Sequence, residues 1–444
     1  MRYYSTTKKC PRVGFRDAVL QGLAPDSGLY MPEEVPKLSE TFWRQLEKLS
    51  FAEMAVEIAA PYVAWALSAA QLRQVVKSSA DFAVPLVPLG DHVQILELFH
   101  GPTLAFKDFG ARFLAQVLQI FAEEANRQFI VLAATSGDTG SAVANACYGL
   151  AGVRVVLLYP KGRISRIQEQ QIATLGGNVV ALEVEGSFDD CQGLVKQAFG
   201  SAELRDVVDL TSANSINIAR LIPQMFYYFG AYAALCRQGK ISPCQSVVFS
   251  VPSGNFGNLT AACLAKRMGL PVEKLVAATN ANKVVPDYLQ TGEFRPQPSI
   301  ATISNAMDVG NPSNFYRLLD IYRGDVALMR KDIIGFSFRD DETRQAIKQC
   351  FSQYGYVLDP HGAVSYLGLR EYQKMQYKNS KTERIVLETA HPAKFLEVVQ
   401  EATGEKVDIP QQLASCLEKP KCSVSMSPEF QDFRELLLSL DLRG

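Results

Sequence analysis

The sequence predicts an α/β protein with two parallel-sheet domains covered by helices, preceded by an α-rich N-terminal region. Three observations predict it. From residue 128 onward, short apolar runs alternate with segments of helical spacing. The runs are continuous rather than alternating, as expected for strands buried on both faces. Small-residue turns follow several of them, where ligands bind in open parallel sheets. Of 444 residues, 48% are hydrophobic, enough for large cores and more than one domain.

Each element has its own signal. In residues 1–90, Trp43–Leu49, Phe51–Ile58 and Ala69–Val76 have helix-like apolar spacing, and "APDSGLYMPEEVPKL" reads as a loop. "QFIVLAA" predicts a strand ending at Ala134, and "GSAVANACYGL" predicts the helix after it. "VRVVLLYP" is broken by Pro160, and "ISRIQEQQIATLG" follows with helical spacing and a glycine stop. "NVVALEV" repeats the strand signal, and Ser187 is the expected cap of "SFDDCQGLVKQAF". "SVVFSVP", "KLVAATN" and "RIVLETA" complete the strands, with "LTAACLAKRMG" as a helix between the first two. The last segment, "SPEFQDFRELLLSL", predicts an amphipathic helix capped by Ser427. The expected division is 1–90 as N-terminal region, 91–127 with 240–444 as the larger domain, and 128–239 as the smaller.

Composition excludes several roles. With 45 Lys+Arg against 46 Asp+Glu, no basic excess points to nucleic acid or a membrane surface. No apolar run reaches transmembrane length, and the opening "MRYYSTTKKCPRVGF" has no secretory core. Nine cysteines lack zinc-type spacing and four histidines form no ligand cluster, so a cytoplasmic protein without metal is expected.

Three segments carry chemistry. "HGPTLAFKDFG" places Lys107 between Phe106 and Phe109. A desolvated amine has a lowered pKa and forms Schiff bases with carbonyl compounds, whereas a lone lysine on an amphipathic segment merely snorkels. "TSGDTGSA" follows a strand and opens a helix, suiting a carboxylate or phosphate, though a well-capped βα turn has the same look. "VPSGNFGN" offers Ser253, Gly254, Asn255, Gly257 and Asn258 to an anion without any basic residue. An amine and two anion cradles together suit pyridoxal phosphate, a carbonyl compound carrying its own phosphate.

These blocks, with "NSINIARLIPQ", "MDVGNPSNF", "LDPHGAV" and "TAHPAKF", resemble the threonine synthase family of fold type II pyridoxal-phosphate enzymes. The resemblance runs from about residue 99 to 395, and residues 1–90 resemble the N-terminal region of longer bacterial and fungal members. It implies conversion of O-phospho-L-homoserine and water to L-threonine and phosphate. It implies that Lys107 is the Schiff-base lysine and that Ser253, Gly254, Asn255, Gly257 and Asn258 hold the cofactor phosphate. Ser136, Gly137 and Thr139 would grip the substrate carboxylate, and Thr389 would face the pyridine nitrogen. Asp138 stands where short members carry Asn, and an acid there would repel the cofactor's phenolate. His391 and Lys394 share the Thr389 block without an assigned role.

A substrate with its own phosphate needs a second anion site. Lys161, Arg163 and Asn217 are the candidates, although charges at a helix start are commonly a solvated face. A phospho-lyase making 2-oxobutanoate, a serine/threonine dehydratase and a non-catalytic anion binder are the competing readings. A monomer or homodimer is expected.

Overall fold

A computed structural model describes residues 1–135, 137–375 and 381–440, without the side chains at 205 and 206. The N-terminal region opens with a small antiparallel pair, β1 (Tyr3–Ser5) and β2 (Tyr30–Pro32). Helices Glu40–Gln45, Phe51–Val63 and Ala69–Ser79 follow, the last two each closed by a serine capping box. β3 (Leu86–Gly90) and β4 (Val93–Glu97) then pair antiparallel.

The central chain gives β5 (Phe129–Ala134), β6 (Val153–Pro160), β7 (Val179–Val184) and β8 (Asp209–Ser212). Next come β9 (Val247–Pro252), β10 (Val272–Thr279), β11 (Ile333–Ser337) and β12 (Arg384–Glu388), and finally β13 (Val424–Met426). One sheet has the order β11-β10-β9-β12-β4-β3, parallel except at β3; the other is β13-β7-β6-β5-β8 and wholly parallel.

The expected strands form, and Ser187 caps its helix in a box with Asp190. Seven strands are additions: β1 and β2, β3 and β4, the short β8, the half-exposed β11, and β13. β13 corrects the expected division, because it extends the sheet of residues 129–212 rather than joining the rest of 240–444. The final helix begins at Phe430, and Ser427 bonds Asp432 instead of capping a first turn. Three-residue strands carry too little periodicity to be read from sequence.

A continuous core joins the N-terminal helices to both sheets. Arg317 fastens the same seam. It is 0% exposed, and its guanidinium donates to the carbonyls of Tyr30 at 3.1 Å and Ile216 at 2.6 Å and to Asn314 Oδ1 at 2.6 Å. Among the described residues no helix is long and apolar enough to cross a membrane.

Candidate active site

A cavity of about 430 Å³ opens beyond the carboxyl ends of β5, β9 and β12, within the range of about 300–1,000 Å³ usual for small-molecule sites. Lys107 lines it as the first residue of the helix Lys107–Ala125. The entry to that helix is pinned twice. The Phe106 amide donates to the Thr389 carbonyl at 2.9 Å, and Asp108 accepts the Thr103 amide at 2.9 Å and hydroxyl at 2.6 Å. Phe109 turns into the core against Phe82, with ring centroids 4.6 Å apart, so it does not shield the amine. Burial is the main cause that lowers the Lys107 amine to about 8; Arg220 and Lys394 add to it, and Asp138 opposes.

Asp138 is not a free acid. Lys394 Nζ lies 2.7 Å from its Oδ1, Gln168 donates to it at 3.0 Å, and Lys394 also donates to the Thr103 carbonyl at 2.9 Å. Burial alone would raise the Asp138 carboxyl, but Lys394 and Lys107 hold it below the usual carboxylate range. The expected acid is therefore paired with a buried countercharge. His391 faces elsewhere: it accepts the Ala393 amide at 3.1 Å and borders a separate hollow with Glu97 and Tyr356.

In the turn after β5, Thr135 Oγ1 accepts the amides of Gly137 at 3.1 Å and Gly140 at 2.8 Å. Gly137 adopts φ 146° and supports the turn, while Thr139 lines the cavity. Ser136 lies outside the described residues.

The loop after β9 is tighter than its composition suggests. Asn258 donates to the Pro252 carbonyl at 2.8 Å, and Asn255 bonds Ser215 and accepts the Ser313 amide at 2.6 Å. Ser253 is 1% exposed, behind the wall formed by Gly254, Asn255, Gly257 and Asn258. These side-chain amides shape the loop, and backbone N–H groups at the start of helix Gly257–Met268 remain for an anion. A Cβ on Gly254 would fall 2.5 Å from Met307 Cα, so only glycine fits there. Thr389 completes the wall.

The expected second anion site is corrected. Lys161 pairs with Glu185 at 3.3 Å, Arg163 is exposed, and neither lines the cavity. Pro160 ends β6 and Ser165 caps the next helix, which leaves 161–163 in solvent. Asn217 is buried and committed: it caps helix Ile218–Leu221 through the Ala219 amide at 3.0 Å and donates to Val19 and Ser212 carbonyls at 2.9 and 3.0 Å.

Three residues further on, Arg220 is a basic residue that does reach the cavity. It is 3% exposed, lines the cavity, and donates to the Ala213 carbonyl. Its Nε has no partner, and no carboxylate pairs with it among the described residues. Burial, its main influence, pulls the guanidinium down to about 10. Gly110 makes room, since a Cβ there would lie 2.9 Å from the Arg220 carbonyl and 3.0 Å from Nε. Reading from sequence also missed Asn214, Ser215, Asn305, Asp308 and His361 on the lining. The first two stand in the "NSIN" block, three and two residues before Asn217.

A low-pKa lysine, a glycine-walled anion cradle and an unpaired arginine in one cavity fit pyridoxal phosphate together with a second anion. Fold and site define a pyridoxal-phosphate-dependent enzyme, and a family model described as "Pyridoxal-phosphate dependent enzyme" matches residues 88–388. Models for the threonine synthase N terminus and C-terminal part match residues 2–80 and 363–436. The chain is 44% identical over 438 residues to threonine synthase of Haemophilus influenzae, covering 99% of this chain and all of that one. It is 42% identical over 439 residues to that of Escherichia coli, with 99% and 100% covered. The crystal structure of PLP-bound threonine synthase from Brucella melitensis superposes with a TM-score of 0.92 at 35% identity, covering 100% of both chains. The chain belongs to the threonine synthase family, and its cofactor is pyridoxal phosphate.

Proposed function

We propose that the chain converts O-phospho-L-homoserine and water to L-threonine and phosphate, with Arg220 rather than Arg163 or Lys161 holding the substrate phosphate. The observation that carries this is the buried, unpaired guanidinium in the cavity of Lys107. A buried guanidinium with no carboxylate in contact is costly, and a phosphate supplies that contact in bidentate form. Ser215, on the same wall, is a further donor.

Lys107 would join the cofactor, and Gly254, Asn255, Gly257 and Asn258, backed by Ser253, would hold its phosphate. Thr389 would serve its ring nitrogen. The cofactor supplies the electron sink for charge developing on the substrate carbons. Lys107, freed as a neutral amine, takes the proton from Cα and can take one from Cβ. Thr139, with Gly137 and Ser136, positions the carboxylate. Arg220 holds the phosphate as it leaves Cγ, before water adds at Cβ. The Asp138–Lys394 pair places two opposed charges beside the amine, Asp138 raising it and Lys394 lowering it. Balanced charge and free cysteines support a cytoplasmic protein acting on a small molecule rather than on nucleic acid or a membrane.

Product analysis with O-phospho-L-homoserine tests the reading. Threonine with equimolar phosphate supports it. Phosphate with 2-oxobutanoate and ammonia would replace it with a phospho-lyase, and no phosphate release would overturn it.

A further inference from the structure

His361 lies at the start of helix Pro360–Met375, 3% exposed, on the cavity wall. Both ring nitrogens are engaged. Nδ1 is 2.6 Å from Asp359 Oδ1, and Nε2 meets the Ala306 amide at 3.2 Å. A backbone amide only donates, so Nε2 is the acceptor and Nδ1 carries the proton. Partners assign this tautomer, and it makes the ring neutral.

Asp359 is itself oriented. It accepts the amides of His361 at 2.8 Å and Gly362 at 3.2 Å, and its own amide donates to Glu388 Oε1 at 2.5 Å. Glu388 is 0% exposed, and its Oε2 faces no donor. Burial first, then the charge of Asp359, raises that carboxyl well above the ordinary value. A Cβ on Gly362 would fall 1.4 Å from Glu388 Oε2, which reserves this position for glycine.

At the other end of the chain of contacts, Ala306 sits in the short turn Asn305–Met307. That turn lies on the cradle, with the Ala306 carbonyl 3.0 Å and Met307 Cα 2.5 Å from where a Gly254 Cβ would stand. Asp308 fixes its far end through Thr302 and Asn280 at 2.7 and 2.9 Å. His361 is the side chain that fixes its middle.

We propose that His361 is a positioning residue for cofactor retention. Held by Asp359 and Glu388, it fastens Ala306 and thereby the roof over the cofactor-phosphate cradle. The inference rests on residues 253–258 being that cradle, so its test carries a separate control for that assignment.

Release of pyridoxal phosphate from holoenzyme is followed by the absorbance of the lysine-bound cofactor. His361→Asn keeps a donor for Asp359 but stops short of Ala306; His361→Gln restores an acceptor near the Nε2 position. The expected result is release about fivefold to tenfold faster for Asn, the worth of one hydrogen bond, and near wild-type release for Gln. Gly254→Ala, which fills the cradle, is expected to lose cofactor faster than either. Wild-type release from His361→Asn alongside rapid release from Gly254→Ala would overturn the role of His361 alone. Wild-type release from all three would remove the cradle assignment with it. Loss of threonine formation in both His361 variants with cofactor retained would make the residue a proton-transfer group and overturn positioning.

Discussion

The lowered amine of Lys107 can be tested directly. With a pKa of about 8, roughly a quarter of Lys107 is neutral at pH 7.5, against about 0.1% for an ordinary lysine. Covalent capture of pyridoxal phosphate by cofactor-free protein needs the neutral amine. Its rate should therefore rise with pH to a half-maximum near 8. Lys394→Met moves that midpoint upward for two reasons of the same sign. A like charge that disfavours the ammonium is removed, and Asp138 loses its partner at 2.7 Å and acts on Lys107 instead. An unpaired opposite charge within about 4–6 Å raises an amine by about 1–3 pH units, so the midpoint should reach at least pH ~9. Removing both charges in Asp138→Asn with Lys394→Met should bring it back towards the wild-type value, a non-additivity expected of direct partners. Stopped-flow absorbance from pH 6 to 10.5 reads all three proteins. A wild-type midpoint near 10, or one that Lys394→Met leaves in place, would refute the electrostatic account.

Other substitutions separate cavity residues from solvated ones. Arg220→Met should lower kcat/KM for phosphohomoserine by about 10- to 150-fold, the worth of a charged hydrogen bond; Lys161→Ala and Arg163→Ala should stay within about twofold because they contact only solvent and surface partners. Phosphate release measures all three. Gly110→Ala should raise KM while cofactor absorbance persists, because its Cβ meets Arg220 rather than the cradle. Arg317→Ala strands the carbonyls of Tyr30 and Ile216 and should cost at least ~3 kcal/mol by denaturant midpoint.

What could be read from sequence followed locality. Lys107 and the loop at 253–258 were legible because their chemistry lies within a few consecutive residues next to a strand end. Arg220 was not. In "NSINIARLIPQ" it sits among apolar residues on a helical repeat and looks like a solvent-facing position of a core helix. Its place on the cavity wall depends on a close approach to Gly110, 110 positions earlier. Arg163 misled for the complementary reason: charge after a strand is visible in sequence, whereas the side on which the turn leaves the sheet is not. Asp138 was read as a repulsive acid because its countercharge, Lys394, comes 256 residues later. His361 and Ala306 meet across 55 residues, beyond any periodic signal.

The seam at Arg317 bears on synthesis. The acceptor it needs at Tyr30 is made early, and the donor arrives only when 317 of 444 residues exist. Until then residues 1–80 can fold their own helices and meet residues 211–217 through the Val19 carbonyl, but without the bonds that Arg317 adds. A nascent chain thus completes this seam late in translation. A truncated product starting after residue 80 would lose the Tyr30 carbonyl that Arg317 donates to and the apolar side chains that join the common core, which makes the N-terminal region part of the catalytic unit's folding and not a detachable preface to it.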